Sequence, residues 1–270
     1  MPNDDQWDLV AAGERPSWYL DPLAAQQKRR IYQDLVRVWT RELTPTNFLK
    51  TDLFEEAYGE DHLLFDLLPA EYTPFGFDVS ERTVRRARER CTVPNARFLA
   101  ADARSLPLRS NALGLIVSNS TLDHFASRNE FRAALGELAR VLKPGGLLVI
   151  AVDNPLNPLY PPLGWLSRRR FAPYPLGYTT TMESLAGSLE ELQLEVLATG
   201  GLIHNPRILS TLLFLGLRRL LGRRADTPIR FLLGLFAQLE RLPTRRFTAC
   251  FVAACARKPA TAPSRAESAG

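Results

Sequence analysis

Short apolar runs alternate with helical patterns along most of this chain, and this alternation restricts the fold more than any other feature of the sequence. Five apolar runs have the length of buried strands: 48–53, 75–79, 96–102, 113–119 and 146–152. Helical patterns lie between them, around 60–68, 80–91 and 128–143. Apolar strands separated by helices are typical of a parallel sheet covered on both faces. The sequence therefore predicts an α/β fold with a doubly wound, mostly parallel sheet.

Further elements are predicted on both sides of this core. Asp21-Pro22 has the pattern of an N-cap followed by proline in the first turn, and apolar spacing continues that helix to about Leu43. Thr180 and Glu183 have capping-box spacing, which predicts a helix that ends near Leu192. Strands are expected at 194–202 and 248–256.

Two helical patterns, at 206–222 and 228–242, separate these last two strands, and so long a connection is unusual within a sheet. We predict an N-terminal helical segment over 1–44 and a main domain over 45–257 that contains a helical insertion at 205–246. The small, polar residues of 258–270 predict a disordered tail.

Polar residues follow the predicted strands where a doubly wound sheet binds ligands, beyond the carboxyl ends of its strands. They are Asp52, Asp78, Asp102, Asn119-Ser120 and Asp153-Asn154. An acid at the end of the second strand can accept hydrogen bonds from a ribose diol. Asp78 could equally cap the helix that follows it, so the series carries more weight than any single member.

The segment from Asn95 to Val152 is the most specific part of the sequence. It reads ARFLAADARSLPLRSNALGLIVSNSTLDHF and then EFRAALGELARVLKPGGLLVIAV. This order resembles the class I S-adenosylmethionine-dependent methyltransferases, especially the small-molecule branch related to quinone and sterol methylating enzymes. The resemblance covers about 45–155 and, weakly, 173–204. Pro144-Gly145-Gly146 is expected to end a helix and turn the chain into the fifth strand.

The resemblance implies S-adenosylmethionine as the cofactor and gives the residues at the strand ends their roles. Asp78 would hold the ribose hydroxyls. Asp102 would lie beside the adenine, with Ala103 against the ring. Asn119 and Ser120 would face the methionine moiety and the methyl group.

Methyl transfer from a sulfonium is an in-line displacement that needs an aligned nucleophile and at most one base, with no metal. The resemblance places Asp123 and His124 just behind the methyl group, and we predict that they form the catalytic pair. His204, at a strand end, is a second candidate base. Either histidine could instead be a hydrogen-bonded structural residue, which is how we interpret His62.

The turn after the first strand departs from the family pattern, because it reads FLKTDLFEEAYGEDHLL with Gly59 as its only glycine. Relatives usually have a glycine-rich turn there, which lets backbone N–H groups approach the cofactor. We expect Asp52 or Glu56 to pair with positive charge on the cofactor, and Lys50 or Thr51 to bind its carboxylate.

The altered turn leaves a second interpretation open, in which the protein is catalytically inactive and binds a membrane surface or a protein partner. An open cavity between Asp52, Asp78 and Asp102 would favour the enzyme. Side chains of Phe54 or Tyr58 filling that space would favour the inactive protein.

The predicted insertion combines leucines with a strong positive charge. The chain has a net charge of +5, and residues 201–250 contain nine arginines against Asp226 and Glu240. Leucines packed as a lid over the pocket are one interpretation, which we favour. The other is an interfacial anchor over 206–224 that contacts anionic lipid head groups. Both favour a small, partly apolar acceptor, such as a lipid, prenyl or polyketide-like molecule.

Other classes of function have weaker support. Phe214, Phe231 and Phe236 lie in leucine-rich helices and are expected to be buried, so we predict no nucleic-acid binding. Three isolated cysteines and an acidic N-terminus without an apolar core predict a cytoplasmic protein without a signal peptide. No apolar run reaches the ~20 residues of a membrane span, and no zinc or P-loop pattern occurs.

Overall fold

The computed structural model describes residues 21–43, 47–59, 72–168 and 176–260. Its seven strands are β1 (Asn47–Thr51), β2 (Thr73–Asp78), β3 (Arg97–Ala100), β4 (Leu113–Asn119), β5 (Leu142–Asp153), β6 (Glu195–Leu202) and β7 (Phe251–Arg257). They form one sheet in the order β3-β2-β1-β4-β5-β7-β6. Only β7 runs antiparallel to its neighbours β5 and β6. The predicted doubly wound, mostly parallel sheet is confirmed.

Helices cover both faces of the sheet. Those described are α1 (Pro22–Thr40), α2 (Phe54–Tyr58), α3 (Glu81–Arg90), α4 (Arg128–Val141), α5 (Tyr160–Arg168), α6 (Met182–Glu191), α7 (Arg207–Leu221), α8 (Asp226–Ala237) and α9 (Arg245–Thr248). On β5, Leu148 and Ile150 belong to one buried cluster, whereas Leu147 and Val149 belong to another. Both faces of this strand are therefore core, which explains its uninterrupted apolar sequence.

The helix starts follow from local capping. The Asp21 side chain accepts a hydrogen bond from the Leu23 backbone N–H at 2.9 Å, as predicted for α1. The predicted cap of α6 is wrong by one residue, because Thr181 rather than Thr180 accepts from the Ser184 N–H, at 3.3 Å. Two consecutive threonines satisfy the same pattern, and Thr180 is buried instead.

The Pro144-Gly145-Gly146 turn lies inside β5, because α4 already ends at Val141 and Leu142 already pairs with β4. The expectation that this turn ends the helix is therefore wrong. Gly145 has φ +76°. A Cβ atom at position 146 would lie 2.9 Å from the Lys143 carbonyl oxygen. The close approach of the backbone in this turn therefore requires glycine at that position.

Several predictions fall at or beyond the described ranges. The helix expected at 60–68, His62 and the tail from 261 onwards lie outside the described residues. Lys258, placed in the predicted tail, is instead fixed by hydrogen bonds. Its Nζ donates to Asn111 Oδ1 at 2.9 Å and to the carbonyl oxygens of Ala139 and Leu142 at 2.8 Å.

The two helices predicted between the last strands are α7 and α8. Phe214 of α7 and Ile229 and Leu233 of α8 form one small buried cluster, against which the start of α1 packs. Phe231 is 71% exposed, so the expectation that it is buried is wrong. None of the helices in the described ranges has both the length and the apolar character that crossing a membrane requires.

Candidate cofactor site

Polar side chains meet at the carboxyl ends of β1, β2 and β4. The order of the sheet reverses between β1 and β4, which is the position where doubly wound folds bind ligands. Asp52 directly follows β1, Asp78 ends β2 and Asn119 ends β4. The topology thus brings together three of the residues predicted to bind the cofactor.

Two carboxylates bind the backbone of the turn after β1: Asp52 belongs to this turn, and Asp78 reaches it from the end of β2. Asp78 accepts hydrogen bonds from the backbone N–H groups of Leu53 at 3.0 Å and Ser80 at 2.9 Å. Asp52, with φ +62°, accepts from the Phe54 N–H at 2.8 Å. The first backbone donors of α2 are therefore bound by the protein's own carboxylates, at the point where a glycine-rich turn would offer its donors to a ligand.

Burial is the main reason why the pKa values of both carboxylates are raised. Burial, and then the charge of Asp52, raise the pKa of Asp78 to about 7. Burial also raises the pKa of Asp52, although Lys50 opposes the shift. Two acids that disfavour each other's ionisation form a site where nearby positive charge is favourable.

Lys50 and Glu56 do not have the roles expected from the sequence. Their side chains are 1% and 0% exposed, and Nζ lies 2.7 Å from Oε2. Lys50 also donates to the backbone carbonyl of Asp52. This internal ion pair engages both charges, so the expectations that Lys50 binds the cofactor's carboxylate and that Glu56 pairs with its positive charge are wrong.

Thr51 is likewise engaged by the protein. Its hydroxyl donates to the Ser118 hydroxyl at 3.0 Å and lies 2.5 Å from that of Thr121. These contacts join the ends of β1 and β4. In this structure the Thr51 side chain therefore holds two strands together, which leaves its expected role with a carboxylate without support.

Asp102 and Ala103 lie beyond β3. Burial would raise the pKa of Asp102, but hydrogen bonds from Arg104 lower it below its usual value. The Arg104 Nε atom lies 3.0 Å from both carboxylate oxygens, and its Nη1 reaches Glu130 at 2.6 Å. Ala103 is buried and belongs to the main core cluster.

The turn after β4 contains buried polar atoms that lack partners among the described residues. They are Asn119 Oδ1, Ser120 Oγ and Asp123 Oδ1. Ser120 has φ +50°, a conformation that a serine rarely adopts. Buried polar atoms are almost always hydrogen-bonded, so three such atoms within five residues are typical of a ligand site.

Asp123 and His124 lie on the same turn. The second Asp123 oxygen accepts from the Asp153 backbone N–H at 2.8 Å. Burial, and then the charge of Asp153, raise the pKa of Asp123 to about 6. The half-buried His124 opposes the pKa shifts of both Asp123 and Asp52, which places it within electrostatic range of both.

Tyr32 of α1 belongs to this cluster, and sequence analysis did not single it out. Its buried hydroxyl lies close enough to that of Ser120 for the two to interact, although it makes no hydrogen bond of regular geometry to the described residues. One turn earlier, Lys28 binds Glu55 at 2.7 Å. The four-residue spacing of Lys28, Tyr32 and Val36 puts them on one face of α1, and this spacing is the sequence signal that could have indicated which side of the helix meets the site.

A backbone strap crosses the turn after β4. The Gly177 N–H donates to the Asp123 carbonyl at 2.9 Å, and the Tyr178 N–H donates to that of Phe125 at 2.6 Å. A side chain on Gly177 would lie 2.2 Å from the Phe125 carbonyl oxygen. The close crossing therefore requires glycine and fixes the turn that contains Asp123 and His124.

His204 lies apart from these residues, after the edge strand β6. Its Nδ1 lies 2.8 Å from the Thr248 hydroxyl, and burial lowers its pKa. Two strands, β5 and β7, separate β6 from β4 in the sheet. The structure thus groups His124 with the acids at the strand ends and leaves His204 at the margin.

Phe54 and Tyr58 pack against each other. Their ring centroids are 5.0 Å apart, and the Arg86 guanidinium lies 4.6 Å from the Tyr58 centroid. Both side chains are only half-buried. This packing joins α2 to α3.

Comparison with known proteins agrees with this geometry. Residues 57–150 match the family described as "Methyltransferase domain". The matched residues lie within the segment that resembles class I S-adenosylmethionine-dependent methyltransferases, and the match supports that resemblance. Among curated relatives of this domain is phthiotriol/phenolphthiotriol dimycocerosates methyltransferase of Mycobacterium tuberculosis, which is 31% identical over 99 residues. That match covers 37% of this chain and 35% of the relative, so it spans only about a third of the relative's length.

A tRNA (carboxymethyluridine(34)-5-O)-methyltransferase of Arabidopsis thaliana is 34% identical over 77 residues, which are 28% of this chain and 18% of that protein.

Solved structures share the fold at low sequence identity. N-methyltransferase NodS of Bradyrhizobium japonicum, in complex with S-adenosylhomocysteine, has a TM-score of 0.55 at 17% identity, with 95% of this chain and 100% of NodS covered. The cyclase SpnF has a TM-score of 0.57 at 22% identity, with 95% and 93% covered. Because a protein described as a cyclase has this fold, the likeness shows the fold alone.

Proposed function

We propose that the protein is an S-adenosylmethionine-dependent methyltransferase that acts on a small, partly apolar acceptor. The observation that carries the proposal is the group of partnerless buried oxygens on Asn119, Ser120 and Asp123, at the switch point of a methyltransferase fold. The acid pair Asp52 and Asp78 lies at the ends of the neighbouring strands.

These residues fit the chemical groups of the cofactor. Each carboxylate oxygen of Asp78 accepts one backbone hydrogen bond and can accept a second. Through these second hydrogen bonds Asp78 would bind the ribose hydroxyls. The raised pKa values of both acids show that their ionised forms would be stabilised by a nearby cation. A ligand with an ammonium and a sulfonium would supply that positive charge. Asp102 and Ala103 would flank the adenine, and Asn119 and Ser120 the methionine moiety.

When bound, the cofactor supplies a methyl group activated by the sulfonium. The half-buried His124 would accept the proton of an acceptor hydroxyl or enol, because a neutral imidazole has one nitrogen that accepts a proton. Asp123, held by the Asp153 N–H, would orient the turn and stabilise positive charge on His124. Transfer by direct displacement needs no further protein nucleophile.

An apolar acceptor is supported by two observations. The mycobacterial relatives are named for phthiotriol and phenolphthiotriol dimycocerosates. The helices inserted before β7 present leucines at the surface. A cytoplasmic location with access to the membrane surface belongs to the same proposal, and three cysteines that form no disulfide with one another fit a reducing compartment.

The test is calorimetric titration of the whole protein with S-adenosylmethionine and S-adenosylhomocysteine. We expect micromolar binding of both, and loss of binding in Asp78→Ala and in the milder Asp78→Asn. Asp34→Ala, at an exposed carboxylate on α1, is the matched control and should bind normally. Failure of the wild-type protein to bind either ligand would overturn the proposal and favour the inactive interpretation.

A second step tests the base. Lipids and prenylated phenols are screened as acceptors, with transfer of an isotopically labelled methyl group as the readout. His124→Gln should retain cofactor binding and lose most of the transfer. Full activity of His124→Gln with the acceptor so identified would exclude His124 as the base.

A further inference from the structure

Helix α7 has an exposed apolar face. Four of its six exposed leucines, here called the leucine stripe, have exposed fractions of 58%, 55%, 44% and 81%; they are Leu209, Leu212, Leu213 and Leu220. Their spacing of three, four and eleven residues puts them on one side of the helix, within about 100° of arc. The opposite side contains the buried Ser210 and Phe214. The helix is therefore apolar on its exposed side as well as on the side that meets the core, whereas a surface helix usually has a polar exposed side.

The favoured expectation that these leucines pack as a lid is therefore wrong for the leucine stripe. Helix α8 adds a second apolar area, because Phe231 is 71% and Leu235 is 53% exposed. These two residues are four apart and so share a side of α8. Exposed apolar residues grouped along a helix mark interaction surfaces, whereas scattered ones do not.

Positive charge lies beside the leucine stripe. Arg219 is exposed on the last turn of α7, and Arg223 and Arg224 are exposed on the turn that follows. Of the nine arginines in 201–250, seven are exposed: Arg219, Arg223, Arg224, Arg230, Arg241, Arg245 and Arg246. The region contains only two acids, and one of them, Asp226, binds Arg218.

The surface is held in place by the protein. Arg218 points inward and binds Asp21 at the start of α1, at 2.7 Å, as well as Asp226. Phe214 anchors the same helix in the small cluster formed with Ala225, Ile229 and Leu233. The leucine stripe is thus a preformed surface rather than a loop that has to order on binding.

We infer that α7 and the arginine turn after it dock the protein on an anionic lipid bilayer. An in-plane helix buries its apolar side about 5–10 Å into the boundary between head groups and acyl chains, and arginines beside it contact lipid phosphates. The leucine stripe supplies the first feature, and Arg219, Arg223 and Arg224 supply the second.

This charge pattern disfavours the other occupants. A symmetric dimer built on this face would bring the exposed arginines of both copies into one interface, and residues 201–250 of each copy supply only two acids to pair with them. A nucleic acid would use the arginines but would leave the leucines in water. The inference holds whether or not the domain transfers methyl groups.

The first arm of the test measures co-sedimentation of the full chain with vesicles. Vesicles of phosphatidylcholine are compared with vesicles of phosphatidylcholine and phosphatidylglycerol in a 3:1 ratio. We expect at least tenfold stronger binding to the anionic vesicles, and weaker binding as salt rises. Leu212→Gln/Leu220→Gln should lower binding to both kinds of vesicle by tenfold or more. The matched control is Val38→Gln/Leu197→Gln, at exposed apolar positions on α1 and β6, and it should bind normally.

The second arm removes charge. Arg219→Gln/Arg223→Gln/Arg224→Gln should weaken binding to anionic vesicles by about fivefold per arginine, on the order of a hundredfold in total. The control Arg82→Gln/Arg85→Gln/Arg128→Gln removes the same net charge from exposed positions elsewhere and should bind within about threefold of the wild type. All the substituted side chains are exposed, so thermal melting should be nearly unchanged.

Several results would overturn the inference. One is equal binding of the wild type to both kinds of vesicle, or no binding to either. Another is an equal loss in both arginine variants, which would reduce the effect to net charge. A dimer in light scattering that Leu212→Gln/Leu220→Gln dissociates would assign the stripe to a second copy. Tight binding to transfer RNA without vesicle binding would assign the arginines to nucleic acid.

Discussion

The ion pair between Lys50 and Glu56 predicts that replacing one partner is much more damaging than replacing both. The two charges are fully buried, 2.7 Å apart. Lys50→Met keeps the length of the side chain but leaves the Glu56 carboxylate buried without its cation. Breaking a buried pair from one side costs about 3–5 kcal/mol, whereas replacing the whole pair by apolar residues of similar volume is often neutral or stabilising.

The assay is urea unfolding of each variant at pH 5 and pH 8. Lys50→Met should lose about 3–5 kcal/mol of unfolding free energy, and Lys50→Met/Glu56→Met should regain most of that loss. The loss should grow with pH. Burial raises the pKa of Glu56 and Lys50 opposes that shift, so the pKa of Glu56 rises further when Lys50 is replaced. The folded variant therefore holds a proton that the unfolded chain releases above about pH 4.3, so its stability falls as pH rises.

An exposed pair provides the control. Arg132 and Glu191 form an ion pair with side chains that are 46% and 53% exposed. Arg132→Met should therefore cost less than about 1 kcal/mol. The reasoning fails if Lys50→Met also costs less than that, or if the double variant is as unstable as the single one.

Three further predictions concern the site. Burial and a neighbouring carboxylate raise the pKa of Asp78 to about 7, above the ~3.9 of an unfolded chain. The unfolding free energy of the wild type, measured in urea, should therefore fall between pH 5 and pH 8. If it falls with the same slope in Asp78→Asn, the fall does not come from Asp78. Gly177→Ala would put a side chain 2.2 Å from a backbone oxygen and should lower the unfolding free energy by about 1–3 kcal/mol. The control Gly187→Ala, with open space around it, should be neutral or stabilising. Equal effects of the two substitutions would contradict the close contact at Gly177. Tyr32→Phe removes a buried hydroxyl that makes no regular hydrogen bond to the described residues. The unfolding free energy from thermal unfolding should therefore change by less than about 1 kcal/mol, and a loss above about 2 kcal/mol would mean that the hydroxyl is hydrogen-bonded.

The strands were predictable because their signal is local. The run 113–119 coincides with β4, and every residue of that strand is buried, so its apolar sequence reflects burial on both faces. The acids after β1 and β2 follow directly from where these strands end. The order of the sheet then brings them together without any further information.

What sequence analysis missed depends on tertiary packing. Lys50 and Glu56 are six residues apart, and no local pattern indicates that both are buried and paired. Tyr32 reaches the turn after β4 only because α1 folds over the sheet. In α7, the spacing of the leucines predicts a helix correctly, but it cannot tell which side meets the core, because both sides are apolar.

The position of β7 has a consequence for how the chain is assembled. During synthesis β5 and β6 emerge before β7, yet they are not neighbours, and β7 must enter the space between them. Until residues 203–250 have been added, which takes roughly 2–10 s, two strand edges lack their partner. Unpaired edges are where other chains attach and aggregate. Insertion of β7 between β5 and β6 therefore completes the sheet, and Lys258 fastens the end of β7 to the carbonyl oxygens of Ala139 and Leu142.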